Sequence, residues 1–505
     1  MLQALFSFRE RYRILHLTWF AFFLSFVVWF SFAPFATTIQ RELDLTSPQL
    51  KVLAICNLAL AIPARIAIGM VLDRYGPRLT FSALLVFAVV PCLLTATAHD
   101  FNQLVWSSLT NSIMGAGFVV GVRMVAEWFP SKEIGLAQGI YGGWGNFGAA
   151  ASGFCLPVLG VTIAYFTGGT LNWRMAIVTI GFVTALYGSI YFRYTQDTPP
   201  GEVYQRPERH GGLEVTSAHS FWAMTLLDLG LLVSLGLLTY PLAQNNIQFL
   251  NWFQVRSIWV FLGLLYLFQF YKAWQVNREI VGSLNPFSGK FLQPSTHYPP
   301  NQRYQLRQIA LLDLTYLTNF GSQITVLSIL PIWFEQTFGL NPVMASLVAT
   351  AYPVLNLVSR PSGGLISDRA GSRKWTMTGL TIGIGISYLL MGKLDARSNL
   401  TVAIALTMLC AYFVQAGAGA TFSMVPLIRK SVTGQIAGSV GAYGNVGGVI
   451  YLLIYSLSNT QTLFYSMGVA ALICASLCAF FLKEPSSSLA TTAPKTLVSS
   501  NKHSS

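Results

Sequence analysis

Apolar residues run through this chain in long blocks that are separated by short polar segments. The blocks are about 20 residues long, which is the length that a helix needs to cross the hydrocarbon core of a bilayer. We predict an all-α polytopic membrane protein with two groups of six spans: 15–36, 49–72, 79–98, 103–128, 134–158 and 174–192, then 307–335, 342–366, 375–393, 399–424, 432–458 and 463–482.

The middle of the chain interrupts this order. It mixes a stretch rich in Pro, Glu and Arg with two further apolar runs, 221–242 and 256–272. A hairpin across the membrane would give fourteen spans and two interfacial helices would leave twelve, and the sequence leaves both open. We predict an N-terminal six-helix bundle at 1–192, a central insertion at 193–306, a C-terminal six-helix bundle at 307–483 and a disordered cytoplasmic tail at 484–505.

Composition agrees with a membrane protein and excludes other classes. Of the 505 residues, 53% are hydrophobic and 10% are charged, whereas a soluble domain carries about 25% charged residues. The net charge of +13 is scattered over short loops, while nucleic-acid binding would need a basic face. The six cysteines lie in apolar segments without metal-site or disulfide spacing. No nucleophile, metal or nucleotide constellation is present, so we expect neither an enzyme nor a cofactor.

The distribution of Lys and Arg predicts the orientation, because short cytoplasmic loops are enriched in these residues. The loops on the opposite side are poorer in Lys and Arg and carry only Arg41, Arg174, Lys393 and Arg397 as exceptions. We therefore expect a plasma or inner membrane protein with both termini in the cytoplasm. The residues that carry this prediction are Arg9, Arg11, Arg13, Arg74, Arg78, Lys132, Arg193, Arg206, Arg209, Arg369, Arg373, Lys374, Arg429 and Lys430.

A glycine-rich stretch at 135–148 has a partial copy 299 positions later, at 434–447. Glycine costs roughly 1 kcal/mol in a helix interior, but in a bilayer it lets two helices approach closely. Each copy also carries an asparagine at the same place, Asn146 and Asn445. The two copies predict paired helices around a central site.

A second recurrence comes after the second span of each half. The Asp-Arg-x-Gly-x-Arg pattern can cap a helix and clamp the neighbouring bundle by salt bridges. We therefore predict a gating and structural role for Asp73, Arg74 and Arg78, and for Asp368, Arg369 and Arg373. The pattern resembles the loop signature of the major facilitator superfamily. That resemblance implies two structurally related halves with the substrate at the midplane between them.

Two arginines, Arg65 and Arg360, lie eight residues before Asp73 and Asp368. An arginine at the bilayer centre costs at least about 2.5–3.5 kcal/mol. Its presence at repeat-related positions therefore predicts a pair that faces the interior. Two facing guanidiniums repel each other unless an anion lies between them, and no acidic residue occupies the matching positions. The anion is therefore expected to be the substrate.

A guanidinium is a planar fork that pairs bidentately with planar oxyanions. The glycines favour a small solute, and Asn146 and Asn445 add neutral donors. We expect Phe118 and Phe320 to sandwich a flat ion and the Tyr316 hydroxyl to donate to it. Nitrate and nitrite fit these features, whereas phosphate and sulfate are tetrahedral.

The stretches 126–148 and 434–448 resemble the two nitrate signatures of the nitrate/nitrite porter family, and the insertion is similar to that of porters from photosynthetic bacteria. One departure is Ala442-Tyr443 at the place of Gly143-Trp144. The resemblance implies a nitrate and nitrite transporter. The residues expected to contact or neighbour the substrate are Arg65, Arg360, Asn146, Tyr316, Phe118, Phe320, Gly142, Asn445, Gly441 and Gly444.

Coupling is less determined. Asp313 and Glu127 are the candidates for proton coupling, although Arg123 lies four residues before Glu127 and the two can simply pair. The resemblance favours a monomeric proton symporter that works by alternating access in nitrate assimilation. A nitrate/nitrite exchanger and a major facilitator exporter of another small solute are the alternatives. A membrane sensor finds no support, because nothing resembles an output domain.

Overall fold

A computed structural model describes residues 7, 8, 10–207, 212–244, 247, 249–282 and 304–485. Arg9, Arg209 and nearly all of the predicted tail lie outside the described residues. The described residues form helices and their connections, with no strand among them. The all-α prediction is thus confirmed.

The first part of the chain forms ten helices, several of which are two consecutive pieces of one predicted span. They are α1 (Glu10–Trp29), α2 (Ala36–Glu42), α3 (Ser47–Ala59), α4 (Ala61–Tyr75), α5 (Pro77–Phe87), α6 (Val89–Ala96), α7 (Phe101–Asn111), α8 (Gly117–Trp128), α9 (Ile134–Thr167) and α10 (Trp173–Tyr194). Helix α9 is longer than predicted, because it continues past Pro157 and ends only before Gly168, whose φ is +84°.

The central insertion forms α11 (Ala218–Leu237), α12 (Thr239–Leu242) and α13 (Trp252–Gly282). Both apolar runs are helices long and apolar enough to cross a membrane, which favours the hairpin over surface helices. The described parts of the segment between α10 and α11 contact both halves. The Tyr204 hydroxyl donates to the Leu72 carbonyl at 2.9 Å, and Glu214 pairs with Arg429 at 2.8 Å.

The last part of the chain forms eight helices. They are α14 (Leu306–Tyr316), α15 (Ser322–Phe338), α16 (Pro342–Val354), α17 (Asn356–Arg369), α18 (Arg373–Met391), α19 (Leu400–Met424), α20 (Thr433–Leu457) and α21 (Thr460–Phe481). A π-helical turn, Leu317–Gly321, joins α14 to α15, and a 3₁₀ turn, Ser112–Ala116, joins α7 to α8. Such irregular turns redirect side chains and backbone carbonyls within a span.

Twelve helices among the described residues are long and apolar enough to cross a membrane. The predicted spans at 342–366 and 375–393 are helical but are not among the twelve. The first is broken at Leu355 into α16 and α17, and α17 carries Arg360 and Asp368. The second corresponds to α18, which begins with Arg373 and Lys374. These charged residues lower the mean hydropathy of the two helices, because they stand where a lipid-facing helix would carry apolar residues.

The two halves pack against each other through the glycine-rich helices. Helix α9 packs on α17 of the other half, and α20 packs on α4. A side-chain carbon added at Gly139 would lie 2.6 Å from the Arg360 carbonyl oxygen, and one added at Gly438 would lie 2.6 Å from the Arg65 carbonyl oxygen. Glycine is required at both positions for close approach of the backbones.

Candidate functional site

The repeat-related arginines both lie in the interior. Arg65 on α4 is 0% exposed and Arg360 on α17 is 1% exposed. The guanidinium carbons lie 5.1 Å and 5.8 Å from the centroid of the same ring, Phe320. Neither arginine forms an ion pair with a described carboxylate. The prediction that both face the interior is confirmed, and their contact with a substrate stays a prediction.

Arg65 is bound by backbone oxygens. Its Nε donates to the Gly115 carbonyl at 3.1 Å, and its Nη1 donates to the Gly441 carbonyl of the other half. Gly115 belongs to the 3₁₀ turn before α8, and this break in regular helix directs its carbonyl to the arginine. Nη2 of Arg65 has no hydrogen-bond partner among the described residues.

Arg360 is bound by side-chain amides of its own half. Its Nε donates to Asn356 Oδ1 at 3.1 Å and its Nη2 donates to Gln323 Oε1 at 3.1 Å. The described part of the chain gives Nη1 no hydrogen bond. Each guanidinium therefore has one terminal nitrogen without a hydrogen bond among the described residues, Nη2 in Arg65 and Nη1 in Arg360. The bidentate pairing expected from the sequence stays a prediction.

Three aromatic rings are stacked beside the arginines. The Tyr316 ring is parallel to Phe118, with centroids 6.0 Å apart, and to Phe320, with centroids 5.0 Å apart. Each phenyl ring thus packs on Tyr316, and the expectation that Phe118 and Phe320 sandwich a flat ion stays a prediction. Tyr316 and Phe320 stack because they are one turn apart at the π-helical junction. The buried Tyr316 hydroxyl has no partner among the described residues.

The two repeat-related asparagines differ. The Asn146 amide donates to the Gly142 carbonyl one turn earlier, at 2.6 Å. Asn445 is 0% exposed, and neither its nitrogen nor its oxygen has a partner within the described residues. Asn146 must therefore give up a bond within its own helix to donate to a ligand, whereas Asn445 has nothing to give up.

The predicted site glycines lie against the arginines and the aromatic rings. A carbon added at Gly142 would lie 3.2 Å from Arg360 Nη1, and one added at Gly441 would lie 3.1 Å from Arg65 Cδ. One added at Gly444 would lie 2.6 Å from the Tyr316 ring. Any side chain at these positions would occupy the space around the guanidiniums and Tyr316.

The two aspartates of the repeated Asp-Arg-x-Gly-x-Arg pattern bind the opposite half. Asp73 accepts the backbone amides of Gly434 and Gln435 at 2.8 Å and 2.9 Å, at the start of α20. Asp368 accepts those of Gly135 and Leu136 at 3.0 Å and 2.7 Å, at the start of α9. A carboxylate is favoured at a helix N-terminus because unpaired amides point at it.

Only one of the four loop arginines takes part in this contact. Arg373 donates to Asp368 at 2.7 Å and to the Ser131 carbonyl of the other half at 2.6 Å. Arg74 and Arg369 are exposed, and Arg74 lies over the ring of its neighbour Tyr75. Arg74 and Arg369 form no ion pair among the described residues, and their gating role stays a prediction.

Arg78 binds residues of its own half. Its Nε donates to the Phe192 carbonyl in the last turn of α10 at 2.7 Å, and its backbone amide donates to Asp197 at 2.8 Å. Burial raises the pKa of Asp197 above its ordinary value, and the contacts with Arg78 oppose that rise. Arg78 thus fastens α5 to the end of α10.

The two candidate proton-coupling residues differ in their partners. Glu127 pairs with Arg123 at 2.8 Å, which confirms the predicted pairing, and with Lys430 of the other half at 3.1 Å. Asp313 is 0% exposed and has no ion pair among the described residues. Its oxygens accept a hydrogen bond from Ser439 of α20 at 3.3 Å.

The residues that hold the arginines were not predicted from the sequence. Asn356 lies one helical turn before Arg360, and this spacing could have indicated it. Gln323 and Gly115 adjoin breaks in regular helix, so no periodicity pointed to them. Gly441 was predicted as a site glycine, but the hydrogen bond from Arg65 to its carbonyl was not predicted.

Comparison with known proteins places the chain among transporters. The sequence matches the Major Facilitator Superfamily over residues 18–292 and 312–503. It is 59% identical over 490 residues to "Nitrate/nitrite transporter NrtP" of Nostoc punctiforme, covering 97% of this chain and 96% of that protein. It is 48% identical over 526 residues to the protein of the same name from Picosynechococcus, again covering 97% and 96%.

Solved structures show the same fold at low sequence identity. The proton:xylose symporter XylE bound to 6-bromo-6-deoxy-D-glucose has a TM-score of 0.59 and 14% identity, covering 94% of this chain and 96% of that chain. The human organic anion transporter MFSD10 has a TM-score of 0.59 and 13% identity, covering 93% and 100%. These likenesses support the two-bundle architecture.

Proposed function

The chain belongs to the major facilitator superfamily and, within it, to the nitrate/nitrite transporters, and we propose that it carries nitrate and nitrite across the membrane by alternating access. The observation that carries the proposal is the pair of buried arginines, one from each half, facing the same Phe320 ring. The relatives are transporters, so the chain is not an enzyme.

The charge of the pair supports an anionic substrate. Two guanidiniums in a low-dielectric interior repel each other, and no described carboxylate neutralises either one. An anion between the uncommitted Nη2 of Arg65 and Nη1 of Arg360 would satisfy both. The unpartnered hydroxyl of Tyr316 and the amide of Asn445 are further donors in the same region.

The crossed packing supports a rocking movement. The carbonyls of Arg65 and Arg360 lie against glycines of the opposite half, so the two halves meet along nearly smooth backbone surfaces. Such surfaces can slide, whereas interlocked side chains resist sliding. The contacts of Asp73 and Asp368 close the cytoplasmic side, and their release would open it.

Neutralising the cytoplasmic aspartates is expected to favour opening to the cytoplasm. Hydrogen bonds to charged groups contribute about 1.5–3 kcal/mol each, so Asp73→Asn or Asp368→Asn should raise the inward-open population by about 10- to 100-fold. Spin labels at the exposed residues Leu79 and Trp375 would report the increase in distance between the halves.

The control for this measurement is Arg74→Gln. Arg74 is exposed, lies over the ring of Tyr75 in its own half and forms no ion pair among the described residues, so the distance distribution should not change. Equal distance distributions in the wild type and in both aspartate variants would contradict a gating role.

Proton-coupled uptake is the mode that we propose, with Asp313 as the coupling group. Asp313 is buried without a counter-charge in the described part of the chain, and an intramembrane carboxylate of this kind marks a functional site by default. It contacts Ser439, which lies on α20 two residues before Gly441, the residue whose carbonyl binds Arg65. Protonation of Asp313 would therefore act on the helix that closes over Arg65.

The Asp313→Asn variant is expected to lose the stimulation of uptake by an imposed pH gradient while nitrate/nitrite exchange persists. Both rates can be measured in one preparation of proteoliposomes, with Glu335→Gln, an exposed residue at the end of α15, as the control. Gradient-driven uptake at the wild-type rate in Asp313→Asn would remove Asp313 from the mechanism. If the wild type exchanges nitrate and nitrite without any proton dependence, proton symport is wrong and the protein is an exchanger of the same substrates.

The proposed setting is the plasma or inner membrane, with both termini in the cytoplasm and a monomeric transport unit. The support is the richness of one side in Lys and Arg and the completeness of the site within one chain. The experiment that tests the proposed function is counterflow of labelled nitrate into proteoliposomes loaded with nitrate or nitrite. Absence of saturable counterflow with either anion would disprove it.

A further inference from the structure

The two arginines are held in different ways, although they occupy the same place in the two repeats. Arg65 donates to two backbone carbonyls, and one of these, Gly441, belongs to the opposite half. Arg360 donates to two side-chain amide oxygens, Asn356 and Gln323, and both belong to its own half. Movement of the halves would therefore disturb the bonds of Arg65 but leave those of Arg360 intact.

The sequence explains this difference. One turn before Arg360 stands Asn356, whereas one turn before Arg65 stands Ala61. Gln323 is the second residue of α15 and comes directly after the π-helical turn Leu317–Gly321. The additional residue of a π turn rotates the side chains of α15 relative to those of an uninterrupted helix. Both amides are buried, with Gln323 5% exposed and Asn356 1% exposed.

We propose that Gln323, assisted by Asn356, is a positioning residue that fixes the guanidinium plane of Arg360 and thereby sets the affinity for a planar anion. With Nε and Nη2 engaged, rotation of the guanidinium would break both hydrogen bonds, and Nη1 keeps both of its N–H groups for a ligand. This inference rests on the proposed function, since it concerns how the same site selects its substrate.

A neutral amide is the suitable partner for this task. Gln323 Oε1 accepts a hydrogen bond without cancelling the charge of Arg360, so the charge stays available for the anion. A carboxylate at the same place would form an ion pair with Arg360 and compete with the substrate. An apolar side chain would leave Nη2 without a partner and allow the guanidinium to rotate.

Three variants and one control test the proposal. The variants are Gln323→Met, Gln323→Glu and Asn356→Ala, the last of which gives Arg360 the neighbour that Arg65 already has. The control is Gln415→Met. Gln415 is also buried in the same half, but its amide donates to the Tyr352 carbonyl at 2.7 Å and forms no hydrogen bond with a described arginine.

The readouts are the KM and maximal rate of nitrate uptake in proteoliposomes and the Kd for nitrate from thermal stabilisation of the purified full-length chain. We expect Gln323→Met to raise KM and Kd roughly tenfold with the maximal rate changed less than about threefold, because binding geometry rather than movement is affected. Gln323→Glu should raise both by at least about 100-fold. Asn356→Ala should raise both by an amount between these, and sulfate should compete better in Gln323→Met than in the wild type.

The outcomes separate the positioning role from the proposed function. If nitrate stabilises the wild type and Gln323→Met with the same Kd, or if Gln323→Glu binds as tightly as the wild type, the positioning role is overturned and the transport function stands. If nitrate neither stabilises the wild type nor is transported by it, both fail. An equal loss of affinity in Gln415→Met would also overturn the proposal, since any buried amide would then have the same effect.

Discussion

Replacement of Arg360 by lysine is expected to abolish nitrate and nitrite uptake while the protein remains in the membrane. Lysine keeps the positive charge but carries one nitrogen in place of the planar fork. It cannot donate to Asn356 and Gln323 from two separate nitrogens and still present a third to the anion. We expect a loss of at least about 100-fold in the maximal rate divided by KM.

Arg65→Lys should have an effect of the same order for a related reason. Arg65 bridges from α4 to the Gly441 carbonyl of the opposite half, and the shorter reach and single nitrogen of lysine cannot bind Gly115, Gly441 and a ligand together. Loss in both variants, rather than in one, is what a paired site requires.

The measurement is initial uptake of labelled nitrate in proteoliposomes, with membrane insertion checked by the amount of monodisperse protein recovered. Arg307→Lys is the matched control, because Arg307 is an exposed arginine at the start of α14 and contacts the Phe481 ring. Its uptake should stay within about twofold of the wild type, as is usual for exposed substitutions. Near-normal uptake in Arg65→Lys or Arg360→Lys would contradict the paired site.

Gly139→Ala is expected to reduce uptake at least about tenfold, although alanine favours a helix over glycine by roughly 1 kcal/mol. The added carbon would meet the Arg360 carbonyl at 2.6 Å and the Pro361 Cα at 2.8 Å. Both are backbone atoms, so the helices α9 and α17 must separate. This separation would shift Arg360 and obstruct sliding.

The control lies in the same helix. A carbon added at Gly153 would have nothing within 4 Å, so Gly153→Ala should transport at the wild-type rate and unfold at an equal or higher temperature. Gly438→Ala tests the symmetry, because its added carbon would meet the Arg65 carbonyl at 2.6 Å. Unchanged uptake in both Gly139→Ala and Gly438→Ala would show that close backbone approach is not needed for transport.

Much of the site could be predicted because it contains charged residues and glycines at positions where an apolar span would not otherwise carry them. An arginine within an apolar span is unfavourable wherever it faces lipid, so Arg65 and Arg360 had to face the interior, and they do. The recurrence of the glycine-rich stretch 135–148 at 434–447 predicted that the two stretches have equivalent places in the two halves. The stacking of Tyr316 on both phenyl rings could not be predicted, because it depends on a π-helical turn that apolar periodicity does not reveal.

The amino-acid sequence alone specifies the helical spans, the internal repeat, the buried pair of arginines and the small-residue surfaces. Each of these is visible in a short stretch of sequence or in its repetition, because the bilayer restricts which residues a span can carry. Three features emerge only in the folded chain: α9 packs on α17 and α20 on α4, Asp73 and Asp368 bind the helix starts of the opposite half, and amides hold Arg360 while carbonyls hold Arg65. The contacts between the halves join residues more than 200 positions apart, and chain separation of that size leaves no periodic trace in the sequence.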